Sequence, residues 1–116
     1  MNIEDFRDYC LALPGTTEET PFGPDVLVMK VMGKMYALCS IDHFESINLK
    51  CDPERAVALR EEFPQIKPGY HMNKIHWNTI ETDGLNDDFI KTLINHSYNL
   101  VSNSLPKKIR EQLKTK

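Results

Sequence analysis

The sequence predicts one α+β domain over residues 1–116, an antiparallel sheet with helices packed on one face in the order α-β-β-β-α-β-α. Three observations predict it. Strand-like runs VLVMKV, MYALCSI and SINLK follow one another between Val26 and Lys50 with only short connections. Helical periodicity flanks them at residues 3–13 and 86–104, and a capped helix separates them from a last strand-like run, HWNTIET. Consecutive strands with helices gathered at the ends make an antiparallel sheet with one covered face.

Each element has a local reason. Asn2 can cap a first helix in which Glu4 and Asp5 suit the first turn and Ile3, Phe6, Cys10 and Leu13 recur at helical spacing. Pro14-Gly15 ends it, and TTEETPFGPD reads as a surface loop carrying one aromatic, Phe22. Val26 to Val31 and Met35 to Ile41 form a hairpin through Met32-Gly33-Lys34, where the glycine can take positive φ. In Ser46 to Lys50, Ile47 and Leu49 face one way and Ser46, Asn48 and Lys50 the other. Asp52-Pro53-Glu54 supplies a cap, an N1 proline and a first-turn acid to a second helix, which Pro64 stops. PQIKPGYHMNK reads as a polar loop leading into the last strand, and Asp83-Gly84 turns the chain. Asn86 or Asp87 then caps the longest helix, where Phe89, Leu93, Ile94, Tyr98, Val101 and Leu105 keep a period near 3.6, with His96 and Tyr98 on its partly buried face. A short basic helix, KKIREQL, follows.

Composition narrows the function classes. Hydrophobic residues at 41% and charged residues at 27% are ordinary for a folded domain, and 116 residues suffice for one core without staples. No apolar run reaches a membrane span, and MNIEDFRDYC has no basic segment followed by an apolar one. Cys10, Cys39 and Cys51 form no C-x-x-C pair and suit a reducing compartment. A cytoplasmic protein without a membrane partner is the expectation. The net charge of -3 hides a segregation: residues 1–25 carry six acids against Arg7, whereas the tail from Leu105 carries Lys107, Lys108, Arg110, Lys114 and Lys116 against Glu111.

The chain resembles the MmcQ/YjbR family of small bacterial proteins through LPG at 13–15, INLK at 47–50 before a capped helix, PGYHMNKIHWNT at 68–79, SYNLV at 97–101 and LPKK at 105–108. The resemblance spans nearly the whole domain in order. It implies an architecture similar to the frataxin/CyaY-like α+β sandwich and a DNA-binding function with a double-wing arrangement. Fold does not fix function, so the side chains must carry the argument.

The stretch PGYHMNKIHW concentrates them. Tyr70, His71, Asn73, Lys74 and His76 bring stacking faces, hydrogen-bonding groups and a cation together, the chemistry nucleic acids use. Lys30, Lys34 and Lys50 could extend this into a basic patch, with Lys34 at a wing tip. The competing readings are solvated lysines that protect sheet edges and a loop tied to its own backbone by His71 and Asn73. Trp77, with Ile75, is expected to anchor the loop to the core. Overall acidity weighs against a dedicated DNA binder.

Other chemistries find less support. No H-x₃-H, H-E-x-x-H or C-x-x-C spacing points to a metal, and acids at Glu4, Asp5, Asp8, Glu18, Glu19 and Asp25 are explained by helix-dipole preference and loop exposure. No nucleophile elbow or phosphate-cradling loop is present, so a non-enzymatic protein without a cofactor is expected. The leading expectation is DNA contact through Lys30, Lys34, Lys50 and the loop. The alternative is a protein-interaction or small-ligand module built on a cleft around His71 and Trp77.

Overall fold

The computed structural model describes residues 1–114 and contains four helices and six strands, all strands in one antiparallel sheet. Helix α1 spans Ile3–Leu11, and the Asn2 side chain accepts a hydrogen bond from the Asp5 amide at its N-terminus. Strands β1 (Thr16–Glu19), β2 (Val26–Val31), β3 (Lys34–Ser40) and β4 (Ser46–Lys50) form a meander. Helix α2 (Pro53–Glu62) follows, capped by the Asp52 carboxylate at the Arg55 amide. The hairpin β5 (Ile66–Pro68) and β6 (Trp77–Glu81) then pairs onto β4 through β6, giving the order β1-β2-β3-β4-β6-β5. Helices α3 (Asp87–Asn103, capped by Asn86) and α4 (Lys107–Lys114) complete the chain.

Two elements differ from the sequence reading. Residues 16–19, read as loop, are the edge strand β1; residues 66–68, read as loop, are the edge strand β5. Both pair through backbone groups at a sheet edge, where only one side of the strand needs a partner. Thus TTEE needs no apolar alternation, and Pro68, which donates no hydrogen bond, is tolerated at the end of β5. The Met32-Gly33 turn has φ of +48° and +86°, the two-residue hairpin geometry that matches strand twist, so β3 begins at Lys34.

The helices cover one face. Helix α3 lies across β2, β3 and β4, and Phe6, Met29, Tyr36, Ile47, Ile90 and Ile94 are among the fully or almost fully buried side chains of that core. A register shift between Met29 and Lys30 leaves Tyr36 as the additional residue of β3. Tyr36 and its neighbour Ala37 are both fully buried, and the Tyr36 ring meets Tyr98 edge-on at 5.4 Å. Ser97 ties α3 to the sheet, its hydroxyl donating to the Tyr36 carbonyl at 2.5 Å and accepting from the Lys50 amide at 2.9 Å.

Among the described residues no helix packs against the other face. Paired residues Val28, Leu38, Asn48 and Thr79 stand in one row across β2, β3, β4 and β6. Val28 is fully buried yet lies outside the helix-side core. The loops that border this face make the candidate site.

Candidate functional site

The loop from Gly69 to His76 is fixed by its own polar groups. The Gly69 amide donates to the Trp77 carbonyl at 2.8 Å, and the Trp77 amide donates to the Asn73 carbonyl at 2.9 Å. The Asn73 side chain accepts from the Ile75 and His76 amides at 2.9 and 3.3 Å, a local turn that offsets the loss of ladder hydrogen bonds. Lys74 closes the loop by donating from Nζ to the Gly69 carbonyl at 3.1 Å. His71 has φ of +59°, a conformation that costs a non-glycine residue on the order of 1 kcal/mol, and its ring lies 4.0 Å from that of Tyr70.

This hydrogen-bonded loop and the Phe22 loop border the same stretch of open sheet. Between them runs a groove of about 510 Å3, floored by Leu38, Asn48 and Thr79 and flanked by Phe22, Tyr70 and Met72. Phe22 and Tyr70 are 66% and 70% exposed, the two most exposed large hydrophobic side chains of the described residues. Val26 and Met35 add apolar wall; Ser40, Ser46 and His71 add hydrogen-bonding groups. Among the described residues no aspartate, glutamate, lysine or arginine lines it.

The residues expected to contact DNA are divided by this geometry. Lys30 and Lys50 have the parity of the open face, but Lys30 pairs with Glu19 at 3.3 Å. Lys34 is exposed at the start of β3, beyond the hairpin turn, with the opposite parity. Lys74 and Asn73 are engaged in closing their loop, whereas Tyr70 and His71 line the groove. The His76 side chain is exposed, and its carbonyl accepts from the Cys51 amide at 2.7 Å. Of the tail cations, Lys107, Lys108 and Arg110 are exposed on α4 and Lys116 lies outside the described residues.

Trp77 is 8% exposed, as expected of an anchor, but its ladder partner is Lys50, so it belongs to the open face rather than the helix-side core. Ile75 corrects the sequence reading. It is 62% exposed, because the Asn73 turn carries it away from the sheet. Sequence reasoning also missed Leu38, Asn48 and Thr79 as a site floor, although the alternation in SINLK already placed Asn48 away from the core.

Among the described residues no group of three histidine, cysteine or acidic side chains is placed to hold a metal. Glu18, one of the acids considered, is bound by Arg7 at 2.5 and 2.7 Å, and that hydrogen-bonded pairing holds its carboxyl below the usual range. Burial pushes the Cys10 and Cys39 thiols up to about 12 and the Cys51 thiol upward as well. No described helix is long and apolar enough to cross a membrane.

Comparison with known proteins gives a consistent relationship. A family model described as YjbR matches residues 11–100. The chain is 36% identical over 113 residues to "Uncharacterized protein YbdF" of Escherichia coli O157:H7, covering 96% of this chain and 93% of the relative. It is 32% identical over 115 residues to "Uncharacterized protein YjbR" of Escherichia coli K12, covering 97% and 98%. Among solved structures, Deinococcus radiodurans protein DR2400, with a domain designated DUF419, superposes with a TM-score of 0.90 at 40% identity, covering 97% of this chain and 88% of that one. A Pseudomonas syringae protein gives 0.74 at 34% identity, covering 86% and 98%. Sequence match and fold agree along the domain, and the chain belongs to the YjbR family.

Proposed function

We propose that this protein is a non-enzymatic binding module whose open-face groove takes a small organic ligand. The observation that carries this reading is the groove itself: its volume of about 510 Å3 falls within the range of small-molecule sites. Its apolar walls with a few fixed polar groups have the composition such sites share. The loop that forms one wall is held in place before any ligand arrives, which lowers the ordering cost of binding.

Titration of isotope-labelled protein with a small-fragment library, read by amide chemical shifts, tests the proposal. Fragments should move Leu38, Asn48, Tyr70 and Thr79 together. If fragments at millimolar concentration perturb other regions and leave these four unmoved, the groove is not the site.

DNA contact is a second reading, favoured by Lys30 and Lys50 sharing the open face. Several of its groups are already committed, Lys30 to Glu19 and Lys74 to the Gly69 carbonyl, so it asks them to exchange partners. Fluorescence anisotropy with duplex and single-stranded DNA at low and moderate salt tests it. Binding weakened by Lys34→Ala and Lys50→Ala would support it, and no binding at low salt would end it.

A further inference from the structure

We infer that the groove is built for a neutral, planar heterocycle carrying a hydrogen-bond acceptor, such as a ring carbonyl or ring nitrogen. The acceptor would meet the side-chain amide of Asn48. This inference rests on the groove being a ligand site and specifies the ligand's chemical class.

The argument starts from a chain of hydrogen bonds. The Tyr70 amide donates to Thr79 Oγ1 at 2.9 Å. Thr79 Oγ1 lies 2.5 Å from Asn48 Oδ1 and donates its one proton there. Asn48 therefore has its oxygen turned to Thr79 and its two N–H donors on the other branch of the amide. A reversed amide would donate to the remaining lone pair of Thr79 Oγ1 and leave the Thr79 proton without this acceptor, so the chain of bonds favours the orientation with oxygen towards Thr79.

Asn48 lies in the middle strand of the groove floor, between Leu38 on β3 and Thr79 on β6. A donor held there by its neighbours, with apolar walls around it, selects for an acceptor on the ligand. Ser46 adds a hydroxyl, and Ser40 accepts from the His43 amide at 3.2 Å, leaving its own proton to give.

Charge complementarity excludes the usual anionic ligands. A phosphate or a fatty-acid carboxylate would need a cation or several converging amides, and among the described residues no lysine or arginine lines the groove. Shape and composition then favour a ring. Phe22 and Tyr70 expose large π-faces at opposite sides, and Met35 and Met72 supply thioethers, which pack well against aromatic rings. An extended peptide adding to a sheet would seek an edge strand, whereas this groove crosses the face.

Three probes of similar size separate the possibilities: 2-quinolone, a planar lactam with a ring carbonyl; naphthalene, planar without an acceptor; and octanoate, anionic and aliphatic. Affinities come from amide chemical-shift titration, with the Asn48 side-chain amide resonances followed directly. We expect 2-quinolone to bind in the groove about fivefold tighter than naphthalene, as one net neutral hydrogen bond gives. It should also move the Asn48 side-chain signals, and octanoate should be weaker than both.

Asn48→Asp preserves an oxygen to accept from Thr79 and removes the donor. It should abolish the lactam preference, while amide resonances outside the groove keep their positions, which shows that the variant is folded. Equal affinity for 2-quinolone and naphthalene, or a preference that survives Asn48→Asp, overturns the acceptor inference and leaves the groove reading standing. If none of the probes perturbs the groove, the groove reading fails and this inference with it.

Discussion

Substituting Gly69 by alanine tests how the groove wall is fastened, because two physical effects there have opposite signs. Gly69 is not among the glycines with positive φ, so alanine can adopt its backbone conformation without strain. Replacing glycine at such a position normally stabilises a protein by about 0.4–1 kcal/mol through the unfolded chain. The folded structure opposes this. A Cβ at Gly69 would lie 2.8 Å from Trp77 Cβ, 2.9 Å from the Trp77 carbonyl oxygen and 3.0 Å from Met72 Cβ. One of these is backbone and the others are the roots of side chains, so none can swing aside.

Overpacking of this kind costs about 1–3 kcal/mol, and stretching the Gly69 amide to Trp77 carbonyl bond takes up to about 1 kcal/mol more. The net expectation is a loss of about 2 kcal/mol, or roughly 6–10 °C in Tm for a domain of this size. Urea and thermal unfolding followed by circular dichroism would measure it. Gly33→Ala is the control: nothing lies within 4 Å of its Cβ, and its φ of +86° alone should cost about 1 kcal/mol. Only Gly69→Ala should shift the amides of Tyr70, Met72 and Thr79. A Gly69→Ala protein as stable as the parent would refute the idea that close approach to Trp77 fixes the wall.

Three further outcomes follow from groups already described. At pH 8, thiols with values of about 12 are ionised in only about one molecule in ten thousand, and Cys10 and Cys39 are 0% and 4% exposed, so both should resist iodoacetamide until urea unfolds the protein. Burial lowers the His96 value, with the charge of nearby Arg55 adding to the effect, so the unfolded chain binds the proton more tightly. Stability should be complete above the ordinary histidine value near 6.5 and fall as pH drops through it towards the lower folded value. His96→Gln should remove that component from urea titrations between pH 7.5 and 5.5. Tyr98 donates a hydrogen bond from its hydroxyl to the Pro14 carbonyl, joining α3 to the turn between α1 and β1; Tyr98→Phe should cost about 1 kcal/mol in the same assay.

Much of the framework was legible in the sequence because it rests on local chemistry. Asn2, Asp52 and Asn86 each cap a helix where their spacing predicts, and Gly33 sits in the turn that joins β2 to β3. Edge strands β1 and β5 were illegible for a physical reason. Their pairing uses backbone groups that every sequence carries, and TTEE and IKP lack the alternation that burial on a face imposes. The site shows the same division. Tyr70 and His71 stood out by residue type, whereas the place of Phe22 in the site did not show in its loop. Leu38, Asn48 and Thr79 gained meaning only through register, since their adjacency depends on β6 pairing with β4. Lys30 and Lys74 looked like free cations, but their partners, Glu19 and the Gly69 carbonyl, are set by strand pairing and loop closure.

The pairing of β4 with β6 also sets an order of assembly. The meander from Thr16 to Lys50 can zip through short turns, but Asn48 meets Thr79 only after 31 residues, including all of α2, have been looped back. Closing a loop of that length carries an entropic cost on the order of 3 kcal/mol. The floor between Leu38 and Thr79 therefore comes into being with the last hairpin and cannot exist in the meander alone. A molecule that occupies it can bind only the finished sheet, so its effect should register on global unfolding and on the slowest-exchanging amides together.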